Sequence, residues 1–352
     1  MIRQIILGLV ILHLLGAVFL YYPTLRLGQW LALNDVLVQT LSLTLLFSQF
    51  FVRVVLRRVH NRATRGLRIV ADFFLGLSPV MLVSVGVCEL LLVIIVIPTS
   101  VIGWSLLMLW LIAGLWGTVK AWYPDIVRIK LESNKLKKSI TFVQISDVHI
   151  GSRTTQFLHQ VVQEINALGP DFLCITGDFI DQRDINAAQL QPLTALRMPV
   201  YFCTGNHEHY EDLEAILARL TNLGVEVLRG RYVDAHGLQI IGFDDHSNPD
   251  FLRDALPALN LNRQRYALLL FHRPLGLEHA AANGIDLQIS GHTHNGQIVP
   301  FNLLVRSQFK YLKGLHKNNA THLYVNEGTG TWGPVMRLGT RSEITHFEIT
   351  AI

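Results

Sequence analysis

Gly205-Asn206-His207-Glu208 follows the apolar run Met198–Cys203, which reads as a buried strand. Two similar stretches precede it. Phe142–Ile145 runs into Asp147-Val148-His149, and Phe172–Thr176 runs into Gly177-Asp178-Phe179-Ile180-Asp181. Two more follow: Tyr266–Phe271 ends at His272, and a short apolar stretch leads to Gly291-His292-Thr293-His294. Five strand ends thus each deliver Asp, Asn or His. That is the supply a metal centre on one rim of a sheet requires. Between them, Gln156–Leu168, Leu190–Leu196, Glu211–Leu223 and Leu275–Ala282 read as helices, and Val225–Leu228, Leu238–Phe243, Leu287–Ile289, Leu323–Val325 and Glu343–Ile349 as further strands. Strands alternating with helices predict an α/β sheet with its site at the carboxyl ends of the strands.

Spacing within the blocks matters. Asp147 and His149 are two apart, as are His292 and His294, so in extended chain each pair points to one side. Gly177 permits a tight turn before Asp178. Asn206 offers a carbonyl oxygen, and Arg273-Pro274 stops the strand behind His272. A mixed oxygen and imidazole donor set suits Mn, Fe or Zn better than Mg or Ca.

In order, the five blocks resemble the calcineurin-like metallophosphoesterase superfamily, over roughly residues 140–352. The resemblance implies two packed mixed β-sheets flanked by helices, and a centre of two divalent metal ions. By that resemblance Asp147, His149, Asp178 and His294 hold one metal. Asp178, Asn206, His272 and His292 hold the other, with Asp178 bridging. Two such ions clamp a phosphate and stabilise in-line displacement. His207 then serves the leaving oxygen, and Asp181 orients His207. Gln182 and Thr204 stand where phosphoprotein phosphatases carry phosphate-gripping arginines, which argues against that activity. Gly205–Tyr210, Ser290–Gln297 and Gly328–Pro334 look like a bacterial membrane-linked branch instead. That branch includes phosphodiesterases and UDP-2,3-diacylglucosamine pyrophosphatases. The resemblance therefore implies hydrolysis of a phosphodiester or pyrophosphate bond, in a lipid-linked substrate such as UDP-2,3-diacylglucosamine. The alternatives are a phosphodiesterase acting on soluble nucleotides and a non-catalytic metal-binding regulatory module. Asn295 stands where the branch has Gly, and His209 is open to two readings, a phosphate contact or a solvated loop residue.

The first third has a different texture. The chain has 352 residues, half of them hydrophobic, and a mean hydropathy of +0.35. That is too apolar for an ordinary soluble enzyme, and the excess lies before residue 123. Ile5–Leu20, Val36–Leu56, Ile69–Ile97 and Val101–Gly117 read as four membrane spans. No small-x-small cleavage pattern follows the first, which disfavours a secretory leader. The expected organisation is an all-α transmembrane bundle over 1–122, a basic juxtamembrane linker over 123–139, and an α/β domain over 140–352. Arg53, Arg57, Arg58, Arg62, Arg65 and Arg68 fill the loop between spans two and three, and Lys120, Arg128, Lys130, Lys135, Lys137 and Lys138 follow span four. The positive-inside rule then places the termini and the α/β domain in the cytoplasm of a bacterial inner-membrane protein. The net charge of +4 is accounted for by that topology and by contact with membrane lipids; no nucleic-acid module is present.

Three further features are singled out. Cys88, Cys174 and Cys203 sit in apolar runs and suggest no disulfide framework. His13 and Glu89 fall at membrane depth, as a functional pair or as groups bonded between helices. Phe301–Lys317 interleaves apolar residues with Arg306, Lys310, Lys313 and Lys317. It reads either as a segment settling on an anionic membrane or as apolar side chains packed on the sheet.

Overall fold

The computed structural model describes residues 2–56, 59 and 61–352, with Ile2, Gln4, Ile5, Ile6 and Arg62 described by backbone alone. Arg57 and Arg58 of the basic loop lie outside the described residues. The chain divides into two compact units, one of Met1–Val119 with Gly333–Leu338, the other of Lys120–Trp332 with Gly339–Ile352.

The first unit is helical. Among the described residues, four helices are long and apolar enough to cross a membrane by length and composition: Leu7–Trp30, Asp35–Val55, Ala63–Ile94 and Thr99–Trp122. The first runs past the expected end at Leu20 as far as Trp30. Pro79 lies within the continuous helix Arg62–Ile94. Glu89, Asp72 and His13 have partners within the unit. Glu89 accepts from Tyr22 and from Arg26 Nε at 2.5 Å, and Asp72 meets Arg53 at 2.7 Å. His13 rests against Phe47 and Phe50, with Nδ1 2.7 Å from the Leu9 carbonyl. Bonding within and between helices is thus what these groups do here.

The second unit contains two six-stranded mixed sheets. In the first, β1 (Asp125–Ser133), β12 (Glu343–Ala351), β2 (Ile140–Ile145), β3 (Phe172–Thr176), β4 (Val200–Cys203) and β5 (Val225–Val227) lie in that order. In the second the order is β10 (Gly314–Asn318), β11 (Thr321–Val325), β9 (Leu287–Ser290), β8 (Tyr266–Leu270), β7 (Leu238–Gly242) and β6 (Arg231–Ala235). β2 to β5 are parallel, as are β11, β9, β8 and β7. Crossover connections cover both faces of parallel strands, and so β3, β4, β7, β8 and β9 are buried throughout.

Side-chain alternation sorts the core into layers. Phe142, Phe172, Cys174, Tyr201 and Cys203 of the first sheet meet Leu238, Ile240, Leu268, Leu270 and Ile289 of the second. The next residues along, Val143, Ile145, Leu173, Ile175, Val200 and Phe202, face the helices Thr155–Leu168 and Leu213–Asn222 instead. Phe142 stacks between Phe172 and Phe347, with centroids 4.9 and 4.6 Å away. Each such buried ring stabilises by about 1.5–3 kcal/mol relative to exposure. Thr154 caps the first of those helices through the Phe157 amide, and Gly169 ends it at a φ of 60°.

One expected boundary needs correction. Residues 123–139 were expected as a linker, yet Asp125–Ser133 pairs along its length with β12. Its alternation of charged residues with Ile and Leu is the period of a half-buried strand, and its burial pattern alternates likewise.

Candidate metal centre

The carboxyl ends of β2, β3, β4, β8 and β9 converge. Parallel neighbours end on the same edge, so their outgoing loops share one rim. Gly205 and Gly291 make the approach possible. A Cβ at the first would strike Asp178, and one at the second would strike Ser146 and Asp147.

The paired ligands do not converge through extended chain, as the spacing suggests. Asp147, His149, Asp178, His292 and His294 all have positive φ: 53°, 55°, 49°, 71° and 47°. Left-handed backbone at non-glycine residues costs of order 1–3 kcal/mol each and clusters at functional sites. Here it bends each loop back over the strand ends, and that bend brings the side chains together.

Among the described residues, three groups bring possible ligand atoms within 4.8 Å of one another: Asp147, His149 and His294; His149, Asp178 and His207; and Asp178, His272 and His292. His149 Nε2 faces His294 Nε2 at 3.2 Å, and His272 Nε2 faces His292 Nδ1 at 3.1 Å. Asp147 Oδ1 lies 3.2 Å from His294 Nε2, and Asp178 Oδ2 3.2 Å from His272 Nε2. Asn206 Oδ1 is buried and has no hydrogen-bond partner among the described residues. His272 donates from Nδ1 to the Thr176 carbonyl at 2.7 Å, which turns its Nε2 edge toward the site.

Electrostatics complete the description. Burial alone would raise the Asp147 carboxyl, but His294, His272 and His149 hold it well below the usual range. Asp178 is likewise held down, against its burial, by His272 and His149. Burial alone would lower His272, but Asp178 and Asp147 raise it to about 10. Burial, then His272 and Arg273, push His292 down to about 3, so its imidazole stays neutral. Burial also lowers His207. Buried carboxylates that draw protons onto neighbouring imidazoles form a cation-attracting site. With facing imidazole nitrogens and an orphaned amide oxygen, these residues fit divalent metal.

Asp181 is the departure. It was expected to orient His207. Instead its Oδ1 accepts from the Ser152 amide at 3.0 Å and its Oδ2 from Ser152 Oγ at 2.5 Å, with His149 Nδ1 3.6 Å from Oδ2. The cause is local pairing of two loops: the Ile150 amide bonds the Phe179 carbonyl at 2.8 Å, and the Asp181 amide the Ile150 carbonyl at 3.2 Å. That register sets Asp181 beside His149, beyond hydrogen-bond distance of the buried Nδ1. His207 is fixed through its backbone, whose amide donates to Asp178 Oδ1 at 2.8 Å.

Three residues, Glu208, Thr204 and Asn295, gain roles that sequence reasoning did not assign. Glu208, fully buried, accepts from the amides of Asp178 (3.0 Å), Phe179 (2.7 Å), Ile180 (3.0 Å) and Gly205 (2.8 Å). Burial and the Asp178 carboxylate push its carboxyl up to about 7, while the Ile180 and Gly205 amides pull it down. Thr204 donates to Asp244 at 2.9 Å and lies 3.1 Å from His209 Nε2, so His209 has a protein partner. Asn295, buried with φ 49°, donates to Glu327 at 2.9 Å. In the segment after His294, Phe309 and Leu312 are buried, and the Phe309 ring lies 5.1 Å from that of His292. Packing is therefore the outcome for those two residues, while Leu303 and Leu304, on the helix Phe301–Gln308, stay exposed.

The family model for calcineurin-like phosphoesterases matches residues 140–296. A metallophosphoesterase of Helicobacter pylori is 33% identical over 236 residues, covering 64% of each protein. One of Aquifex aeolicus is 31% identical over 240 residues, covering 64% of this chain and 91% of that protein. A transmembrane protein with metallophosphoesterase domain from Danio rerio is 31% identical over 247 residues, covering 63% of this chain and 56% of that protein. The chain thus spans a little under two thirds of the length of the Helicobacter relative. An archaeal phosphodiesterase structure is similar with a TM-score of 0.34 at 12% identity, covering 54% of this chain and 85% of that one.

Proposed function

From the premise that this chain belongs to the calcineurin-like phosphoesterases, we propose that it is a membrane-anchored, metal-dependent hydrolase of phosphodiester or pyrophosphate bonds. The observation that carries the proposal is the set of three ligand groups, which share His149 and Asp178 between them. Asp147, His149, Asp178 and His294 would hold one divalent ion, and Asp178, Asn206, His272 and His292 a second. Mn, Fe or Zn suits the mixed oxygen and imidazole donors. Bound there, the ions supply charge for a phosphoryl group and for the attacking and leaving oxygens. The chain's own part is to hold and to protonate. Asp178 anchors the loop of His207, and the His207 imidazole gives its proton to the leaving oxygen. Asp181, held by Ser152, adds negative charge beside the His149 ring.

A lipid-linked phosphate ester is the substrate class this reading favours. Four apolar helices share the chain with the site. The exposed Leu303 and Leu304 stand in one segment with Arg306, Lys310, Lys313 and Lys317, a composition suited to an anionic membrane surface. By the positive-inside rule, the arginine-rich loop 53–68 supports an inner-membrane reading with the phosphoesterase domain on the cytoplasmic side. A reporter fused after Ile352 should be active only in the cytoplasm, and periplasmic activity alone would reverse the orientation.

Full-length protein loaded with Mn should hydrolyse bis-p-nitrophenyl phosphate. Chelation should abolish turnover and added Mn restore it. His207→Ala should lower kcat by roughly a hundredfold, the size of a general-acid contribution, with metal content unchanged. Metal-loaded protein that turns over no diester or pyrophosphate, soluble or acylated, would point to a regulatory module instead.

A further inference from the structure

Two large aromatic side chains stand free beside His207. Trp332 is 57% exposed and Tyr210 71%. Their ring centroids lie 6.1 and 5.7 Å from that of His207. Neither ring belongs to a core cluster, and an exposed indole beside buried metal-ligand candidates is an unusual placement. Their backbone supports are firm. Gln297, itself buried, accepts the Trp332 amide at 2.9 Å and donates to the Trp332 carbonyl at 3.0 Å. Two residues back, the Gly330 amide bonds the Asp147 carbonyl at 3.0 Å, and the Thr329 amide the Ser146 carbonyl at 2.8 Å. Gly330 packs so closely on Val148 that a Cβ would not fit. The loop presenting Trp332 is thus tied to the loop presenting Asp147. Tyr210 closes the short helix Asn206–Tyr210 that carries Asn206 and His207.

From this arrangement we propose that Trp332 and Tyr210 form an aromatic platform at the rim of the metal centre, binding a planar ring carried by the phosphate ester, a nucleobase being the fitting chemistry. The inference rests on the hydrolase reading above, because it needs the phosphate seated among the metal ligands. It adds a specificity determinant that the ligand set does not supply. A base stacks on any aromatic face, and the exchange of water for a ring is favourable whatever its hydrogen-bond pattern. The platform therefore selects for the presence of a base rather than for its identity.

Binding of AMP and of ribose 5-phosphate to the Mn-loaded full chain, measured by calorimetry, isolates the base. Wild type should bind AMP about tenfold or more tighter than ribose 5-phosphate, the range of one base–aromatic stack. Trp332→Ala with Tyr210→Ala should bring AMP down to the ribose 5-phosphate level and leave ribose 5-phosphate unchanged, and Trp332→Phe should keep most of the preference. Equal affinity for the two ligands in wild type would overturn the platform, as would equal losses on both in the double variant. Hydrolytic failure of the wild type would leave the base preference standing, so this inference and the hydrolase reading fail by different results.

Discussion

Asp178→Asn should strip most of the metal from both proposed positions and lower turnover on the order of a thousandfold. Asp178 is the one carboxylate common to two ligand groups, those with His149 and His207 and with His272 and His292. It is almost wholly buried. Asparagine keeps the shape and, through its oxygen, the bond from the His207 amide. What it loses is the charge, which also sustains the raised pKa of His272. Three decades in rate correspond to about 4 kcal/mol, within the several kcal/mol that a divalent cation contributes to phosphoryl-transfer charge. Elemental analysis alongside kcat makes the test, with circular dichroism to verify the fold. Full metal content in the variant would remove the bridging role. Metal loss without loss of rate would remove the metals from the chemistry.

The fold was legible because the apolar runs are short, evenly spaced and closed by Asp, Asn or His. Buried parallel strands leave that imprint whatever their detailed register. The convergence of the ligands was legible only as an outcome. Asp147-Val148-His149 carries no glycine, so nothing in its composition announces left-handed backbone at both ends. The pattern of two-residue spacing gave the right neighbours for the wrong geometric reason. The bonds Asp181 makes to Ser152 were not legible, because they follow from the pairing of Ile150 with Phe179, a contact between loops some thirty residues apart. β1 was hidden for another reason. Its partner β12 lies at the far end of the chain, and an edge strand with one solvated face has the composition of a charged linker. In Phe301–Lys317 the period is too short-lived to separate buried from exposed apolar side chains. Phe309 and Leu312 turn inwards while Leu303 and Leu304 do not.

Glu208 was quoted within the deciding stretch without a role of its own, and its replacement should be among the most damaging in the protein. Its two oxygens collect four backbone amides from two loops, 178–180 and 205. Those loops carry or adjoin Asp178, Asn206 and His207. Glu208→Ala leaves buried donors without acceptors, at about 1–3 kcal/mol for each that water does not reach. The sum is of order 4 kcal/mol or more, a large share of the 5–15 kcal/mol typical of a whole domain. For a domain of this size that predicts a melting temperature lower by roughly 10 °C. Metal affinity should fall as well, by at least the ten- to hundredfold seen when groups supporting ligands are lost, because the Asp178 carboxylate is placed by the loop Glu208 holds. Glu208→Gln discriminates the cause. Its amide oxygen can still serve Phe179 and Ile180, while its NH2 group would face the amides of Asp178 and Gly205, donor against donor. It should therefore lie between wild type and Glu208→Ala in both melting temperature and metal affinity, whereas a purely steric role would make it equal to wild type. A Glu208→Ala protein melting within a degree or two of wild type, with full metal, would show that the four amides find other acceptors and that the stretch owes its organisation to Asn206 and His207 alone.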